Sequence, residues 1–205
     1  MAPEEPQDIP DNPPGSHMIK WFGEIGSSDT PLVGGKAASL GEMYGQLVSR
    51  GVRIPNGFAT TSTVYTEFLD GPVPQGCWDK LDCEEALLGI REQVLSAPTL
   101  RLALTALFQN SAVDDHLDLH LRTAFARSLV LCTPLSDEIR AALASGYQKL
   151  CDEYGSEVDC AVRSSATKED SAMASFAGQY ESYLNVRGVD GILEAWHKCA
   201  ASAFT

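Results

Sequence analysis

The run from Val158 onward most constrains how this chain can fold. VDCAVRSS carries a strand-like run at Cys160, Ala161 and Val162, and the small-residue stretch SAMASFAG leads from it into an apolar-polar alternation in QYESYLNV. Period-two alternation reads as half-buried strands. The segment that follows, VDGILEAWHKCAASAF, reads as a helix with Ile192, Ala195, Trp196, Cys199 and Ala203 on one face. Helical patterns also lie upstream, so helices and strands interleave and the class is α+β. No internal repeat is present.

Upstream, Met18 to Phe22 reads as a short strand. In LVGGKAASLGEMYGQLVSRG the apolar residues Leu40, Met43, Tyr44, Leu47 and Val48 recur with the spacing of an amphipathic helix. Gly34 and Gly35 stand at its entrance, and Gly51 suits the position after its end. VRIPNGFATT is extended, because Pro55 disfavours helix before it and Gly57 permits a turn. Thr61 or Ser62 can cap a short helix through Leu69. GPVPQG is a turn or linker, and Asp82 with Glu85 resembles a capping pair for a helix to about Ser96. The leucine-rich residues 99–131 read as helical. Ser136 can cap a helix from about Asp137 to Tyr154, which Gly155 closes.

Charge narrows the partners. The 205 residues carry a formal charge of −13, which argues against nucleic acid and anionic membrane. Any anionic ligand must then be held by locally placed cations and backbone N–H groups. No apolar run reaches the ~18 residues of a membrane span, and a cytoplasmic location is expected. The six cysteines show no paired C-x-x-C spacing and read as reduced, mostly buried thiols. The acidic, Pro-rich residues 1–17 are expected to be a disordered tail, with GSHM resembling a cloning scar. The folded domain is expected over residues 18–205.

Two places can carry chemistry. In VGGKAASLGEM, two glycines before a helix N-terminus let backbone N–H groups approach a phosphate, and Lys36 adds a charge there. The spacing is not that of a Walker A loop. Glycine pairs before helices are common, and a first-turn lysine usually faces solvent, so this segment alone does not decide. In AVRSSATKED, Arg163 ends a strand and precedes the hydroxyls of Ser164 and Ser165. It can clamp a phosphate with two parallel hydrogen bonds, or pair with Glu169 or Asp170 in a structural ion pair. The residues leave both readings open. His116 and His120 have an i,i+4 spacing that could ligate a metal, but HLDLHL alternates like a strand and a solvated polar face is the favoured reading. His197 is expected on the exposed side of the last helix.

Four blocks, VGGKAASLGEM, VRIPNGFATT, AVRSSATKEDSAMASFAGQYESYLNV and CAASAFT, occur in an order that closely resembles the N-terminal nucleotide-binding domain of the phosphoenolpyruvate synthase family. Pyruvate phosphate dikinase and rifampicin phosphotransferase share the pattern more loosely. The resemblance implies the N-terminal part of an ATP-grasp-type domain. It implies that Lys36 and Arg163 contact the ATP phosphates as catalytic residues. Ser164, Ser165 and Gly178 would also bind the nucleotide, with the small-residue loop nearby. It further implies Mg²⁺ held by acidic residues outside this chain, and phosphohistidine and pyruvate-binding domains beyond it. The tract 99–131 looks longer than the family usually has.

The implied activity is conversion of ATP, pyruvate and water to phosphoenolpyruvate, AMP and phosphate, with this portion inactive alone. A rifampicin phosphotransferase-like antibiotic kinase and a non-catalytic nucleotide-binding or interaction module are the alternatives. A chain cut at its C-terminal end should expose an apolar face, and homodimer association through such a face is an expectation.

Overall fold

The computed structural model describes residues 17–73, 76, 87–109, 111, 115–167 and 181–204. The chain opens with strand β1 (Ile19–Trp21), two single 3₁₀ turns and a one-turn helix α1 (Thr30–Val33), then α2 (Gly35–Val48). Strand β2 (Phe58–Thr60) returns antiparallel to β1, with Ile19 opposite Thr60 and Trp21 opposite Phe58. Helices α3 (Ser62–Asp70), α4 (Leu88–Leu95), α5 (Leu100–Phe108), α6 (His116–Cys132) and α7 (Asp137–Tyr154) follow. Strands β3 (Cys160–Arg163) and β4 (Ser182–Val186) form a second antiparallel pair, and α8 (Gly188–Ala201) packs on it. The α+β class expected from the interleaved patterns holds.

The principal core lies among α3, α5, α6, α7 and α8. Leu100, Leu107, Leu129, Val130 and Ile139 are fully buried there with Phe68, Phe125 and Trp196. Residues 99–131 therefore supply much of the core, as two helices capped locally. Thr99 Oγ1 accepts from Leu102 N–H at 3.3 Å, and Asp115 Oδ1 accepts from Leu117 and Asp118 N–H at 3.1 Å. Such caps satisfy N–H groups that the first helical turn leaves without partners. Ser136 caps α7 as expected, accepting from Ile139 N–H at 3.2 Å, and Gly155 closes it with a left-handed φ of 75°. Gly51 is also left-handed, just beyond α2.

Several expectations are corrected. The apolar stripe of α2 is not its buried face: Leu40, Met43 and Val48 are exposed and Tyr44 and Leu47 half-buried, with Tyr44 against Phe22, while Gly35, Ala37, Ala38 and Gly41 are buried. A Cβ on Gly41 would lie 2.6 Å from Ile25, so a small-residue face is what allows α2 to seat against Ile25 and Val33. Thr61 occupies the N-cap position of α3, but its hydroxyl donates to His17 O at 3.0 Å and does not cap the helix. Ala203 lies beyond the end of α8 and is exposed.

His197 is not on an exposed face. Its Nε2 lies 2.6 Å from Val130 O, and its ring stands edge-on to Phe68 with centroids 5.5 Å apart. His116 and His120 sit on the first turns of α6 and are both exposed, so HLDLHL is helical and presents a solvated face. The proposed capping pair Asp82 and Glu85, together with Cys77 and Cys83, lies outside the described residues. Cys151 is buried and Cys132, Cys160 and Cys199 are half-buried. Among the described residues no helix is long and apolar enough to cross a membrane.

Candidate nucleotide site

The two segments that carry cations in the sequence are joined directly in the structure. Gly34 links α1 to α2 with φ 81°, a conformation that L side chains rarely adopt. A Cβ there would stand 2.2 Å from the backbone oxygen of Ser165. Glycine is thus required twice over, by the dihedral and by the approach of the chain that leaves β3. Gly35 N–H donates to Ala166 O at 3.3 Å, and Ala37 N–H donates to Ser165 Oγ at 3.0 Å. Gly34 has no side chain with which to cap α2, so a hydroxyl from far along the sequence satisfies one of its orphan N–H groups.

Arg163 and Lys36 flank this seam. Arg163 ends β3, covalently adjacent to the docked segment, and its side chain is exposed. Lys36 lies between the two residues of α2 that donate to that segment, and it too is exposed. Among the described residues no ion pair involves Arg163, while Glu169 and Asp170, the alternative partners, lie outside them. Ser164 Oγ is buried with no hydrogen-bond partner, which leaves its donor available. Gly178 lies outside the described residues. The structure thus brings Lys36, Arg163, Ser164 and Ser165 to one seam.

A second cluster, which the sequence reading missed, abuts the same strand end. In the β3–β4 ladder Arg163 pairs with Ser182 and Val162 with Tyr183. Glu181, just before β4, takes Arg127 Nη2 of α6 on both carboxylate oxygens, at 3.1 and 3.2 Å, and also accepts from the Tyr183 hydroxyl. Arg127 Nη1 is buried without a partner. The Tyr183 hydrogen bond and then the Arg127 guanidinium hold the Glu181 carboxyl below its usual range against the opposing effect of burial. Burial first, then Glu181, pushes the Tyr183 phenol up to about 12.

Cys199 of α8 sits behind the ladder, its Sγ 3.9 Å from both Val162 O and Glu181 O. Burial and then the Glu181 charge raise its thiol to about 11, and Lys36 acts in the opposite sense. The spacing of Glu181 and Tyr183 on one strand face was a local signal for their contact. The partner Arg127, reached only through packing of α6, had none.

Of two open grooves, of about 550 and 520 Å³, the second runs along β4 from Ser182 and Tyr183, and neither is lined by Lys36 or Arg163. Among the described residues no group of three or more His, Cys, Asp or Glu side chains is placed to hold a metal ion.

Comparison with known proteins gives a consistent result. The family described as "Pyruvate phosphate dikinase, AMP/ATP-binding domain" matches residues 30–205. A phosphoenolpyruvate synthase of Synechocystis is 42% identical over 193 residues, covering 92% of this chain and 20% of that protein. A probable phosphoenolpyruvate synthase of Pyrococcus horikoshii is 39% identical over 195 residues, 92% of this chain and 23% of its own length. The phosphoenolpyruvate synthase of Escherichia coli is 36% identical over 191 residues, with 92% and 20% covered. The chain spans about a fifth of the length of the curated relatives it matches.

Proposed function

The chain belongs to the pyruvate phosphate dikinase AMP/ATP-binding domain family, and on that premise we propose that it is the ATP-binding portion of a phosphoenolpyruvate synthase-like enzyme. The whole enzyme would convert ATP, pyruvate and water to phosphoenolpyruvate, AMP and phosphate, through a phosphohistidine carried outside these residues. The observation that carries the reading is the seam in which Gly35 and Ala37 of α2 hydrogen-bond to Ala166 and Ser165, placing Lys36 beside the Arg163 strand end.

Moving a phosphoryl group asks the protein for position and charge more than for covalent chemistry. Arg163 offers a planar fork that can hold two phosphate oxygens in parallel. Lys36 adds a point charge at a helix N-terminus, where the dipole also favours an anion. Ser164 has a free hydroxyl to donate. The Ser165 hydroxyl already accepts from Ala37 N–H, so its contribution is chiefly to hold the seam, and Gly178 is assigned to the nucleotide on resemblance alone.

An ATP-grasp-type fold fits this picture, with the nucleotide held between this wall and a second lobe. That lobe is also assigned the acidic ligands of Mg²⁺. The described residues do not form a cage for that ion. The remaining domains of the full-length enzyme are the proposed partners, and the cytoplasm the proposed location.

The test uses the full-length protein. Lys36→Ala and Arg163→Ala should each lower ATP-dependent phosphoryl transfer by about 100-fold or more, with circular dichroism and Tm unchanged. Wild-type turnover in both variants removes them from the site.

A further inference from the structure

The acidic residue nearest to Arg163 along the ladder does not pair with it. Glu181 precedes Ser182, which is the partner of Arg163. Side chains alternate across a strand, so Arg163 and Ser182 share the exposed face, while Val162 and Tyr183 share the half-buried one. The Tyr183 hydroxyl contact places the Glu181 carboxylate on that second face, where Arg127 meets it from α6. A carboxylate one residue from the last rung is thereby neutralised by a cation that takes no part in the strand pair. Cys199 Sγ, in contact range of both Glu181 O and Val162 O, marks how closely this group lies behind the Arg163 strand end.

We propose that Arg127 is a positioning residue for ATP binding, acting through Glu181: it holds and neutralises that carboxylate, so that its charge does not oppose the nucleotide phosphates at the Arg163 strand end. This rests on the ATP-binding reading above. An unpaired carboxylate beside a phosphate site repels its ligand, and through-space repulsion of this kind raises KM, is screened by salt and vanishes when its charge is removed. A packing role for Arg127 shows none of these signatures. Arg127 reaches Glu181 through one nitrogen only, with no fork-to-fork geometry, so charge rather than bidentate fit is what the contact supplies.

The experiment measures KM and kcat for ATP in the full-length enzyme at low and high ionic strength. Arg127→Met removes the charge and keeps an apolar stem. It should raise the KM for ATP about fivefold at low salt with kcat nearly unchanged, and the effect should shrink as salt rises. Adding Glu181→Gln to that variant should restore the KM to within about twofold of wild type, a coupling between contacting groups rather than an additive loss. Arg127→Lys, which preserves the charge, should stay within about twofold.

A KM unmoved by Arg127→Met, or raised and not relieved by Glu181→Gln, overturns the proposal. If Arg127→Met does not fold, Arg127→Lys decides: a several-fold KM rise in a folded Lys variant contradicts it. A wild-type enzyme without ATP dependence sinks both this inference and the reading beneath it. Loss of activity in Lys36→Ala beside a normal Arg127→Met sinks only this one.

Discussion

Helices α2 and α8 are equal in length, and both have an apolar stripe that is visible in the sequence. They bury opposite things. On α8 the stripe is the core: Ile192, Leu193, Trp196 and Ala200 are buried, with Trp196 edge-on to Phe68 at 5.5 Å and its indole N–H donating to Thr60 at 3.2 Å. On α2 most of the stripe, Leu40, Met43 and Val48, is exposed, and the buried residues are Gly35, Ala37, Ala38 and Gly41. Periodicity locates a helix. Its rotation is set by what its ends are tied to. The first turn of α2 is fixed by Ser165 and Ala166, and its middle by close approach to Ile25. Helix α8 is tied at its N-terminus too, Gly188 N–H donating to the Tyr147 hydroxyl at 2.9 Å, but Tyr147 belongs to the core, and α8 turns its largest apolar residues the same way.

The contrast breaks most readily at Gly34. Gly34→Val demands a left-handed β-branched residue and drives a Cβ into the Ser165 backbone. It should cost about 3 kcal/mol or more, read as a lower urea midpoint, and it should abolish ATP-dependent turnover in the full-length enzyme. A stable, active Gly34→Val protein means the seam is not closed as described.

The next comparison sets the two stripes against each other in this 205-residue chain. Trp196→Ala should cost about 3–5 kcal/mol. Met43→Ala, at a site 46% exposed, should stay within about 0.5 kcal/mol. Equal losses in urea denaturation would show that the α2 stripe is covered and the helix turned the other way.

The smallest effect concerns α8 alone. Burial lowers the pKa of His197 below its ordinary 6.5, against hydrogen bonds to the Val130 and Thr133 backbone that raise it. With the folded value depressed, the unfolded chain takes up the proton first. Stability is full above 6.5 and is lost as pH falls toward the folded pKa. Tm measured from about pH 7 down to about pH 5 should therefore decline, and His197→Gln should flatten that decline. An equal slope in both proteins would place the imidazole in water.

What the sequence made legible was local. Ser136, Gly155 and Gly51 act within a turn of their own position, and the structure bears out each placement. The strand at 160–163 followed from its apolar run and the one at 182–186 from alternation. Orientation was not legible. The largely exposed stripe of α2 and the inward ring of His197 depend on partners distant in sequence, such as Ser165 and Val130. Thr61 sat where a cap belongs, yet its hydroxyl found His17 O. Lys36 and Arg163 were singled out by resemblance, since residue chemistry left each between two readings. The structure adds that their segments touch. The Arg127–Glu181 pair is a tertiary contact with no local trace on α6.

Backbone amide exchange in the full-length protein, with and without ATP, tests the central claim most directly. Exchange reports local opening, and a nucleotide held across the seam must stabilise both of its sides. ATP should slow exchange at Gly35–Ala37 and at Ser164–Ala166 together, and Arg163→Ala should remove the protection from both. Protection confined to one segment, or absent from both while ATP is bound, would contradict a phosphate site built on this seam.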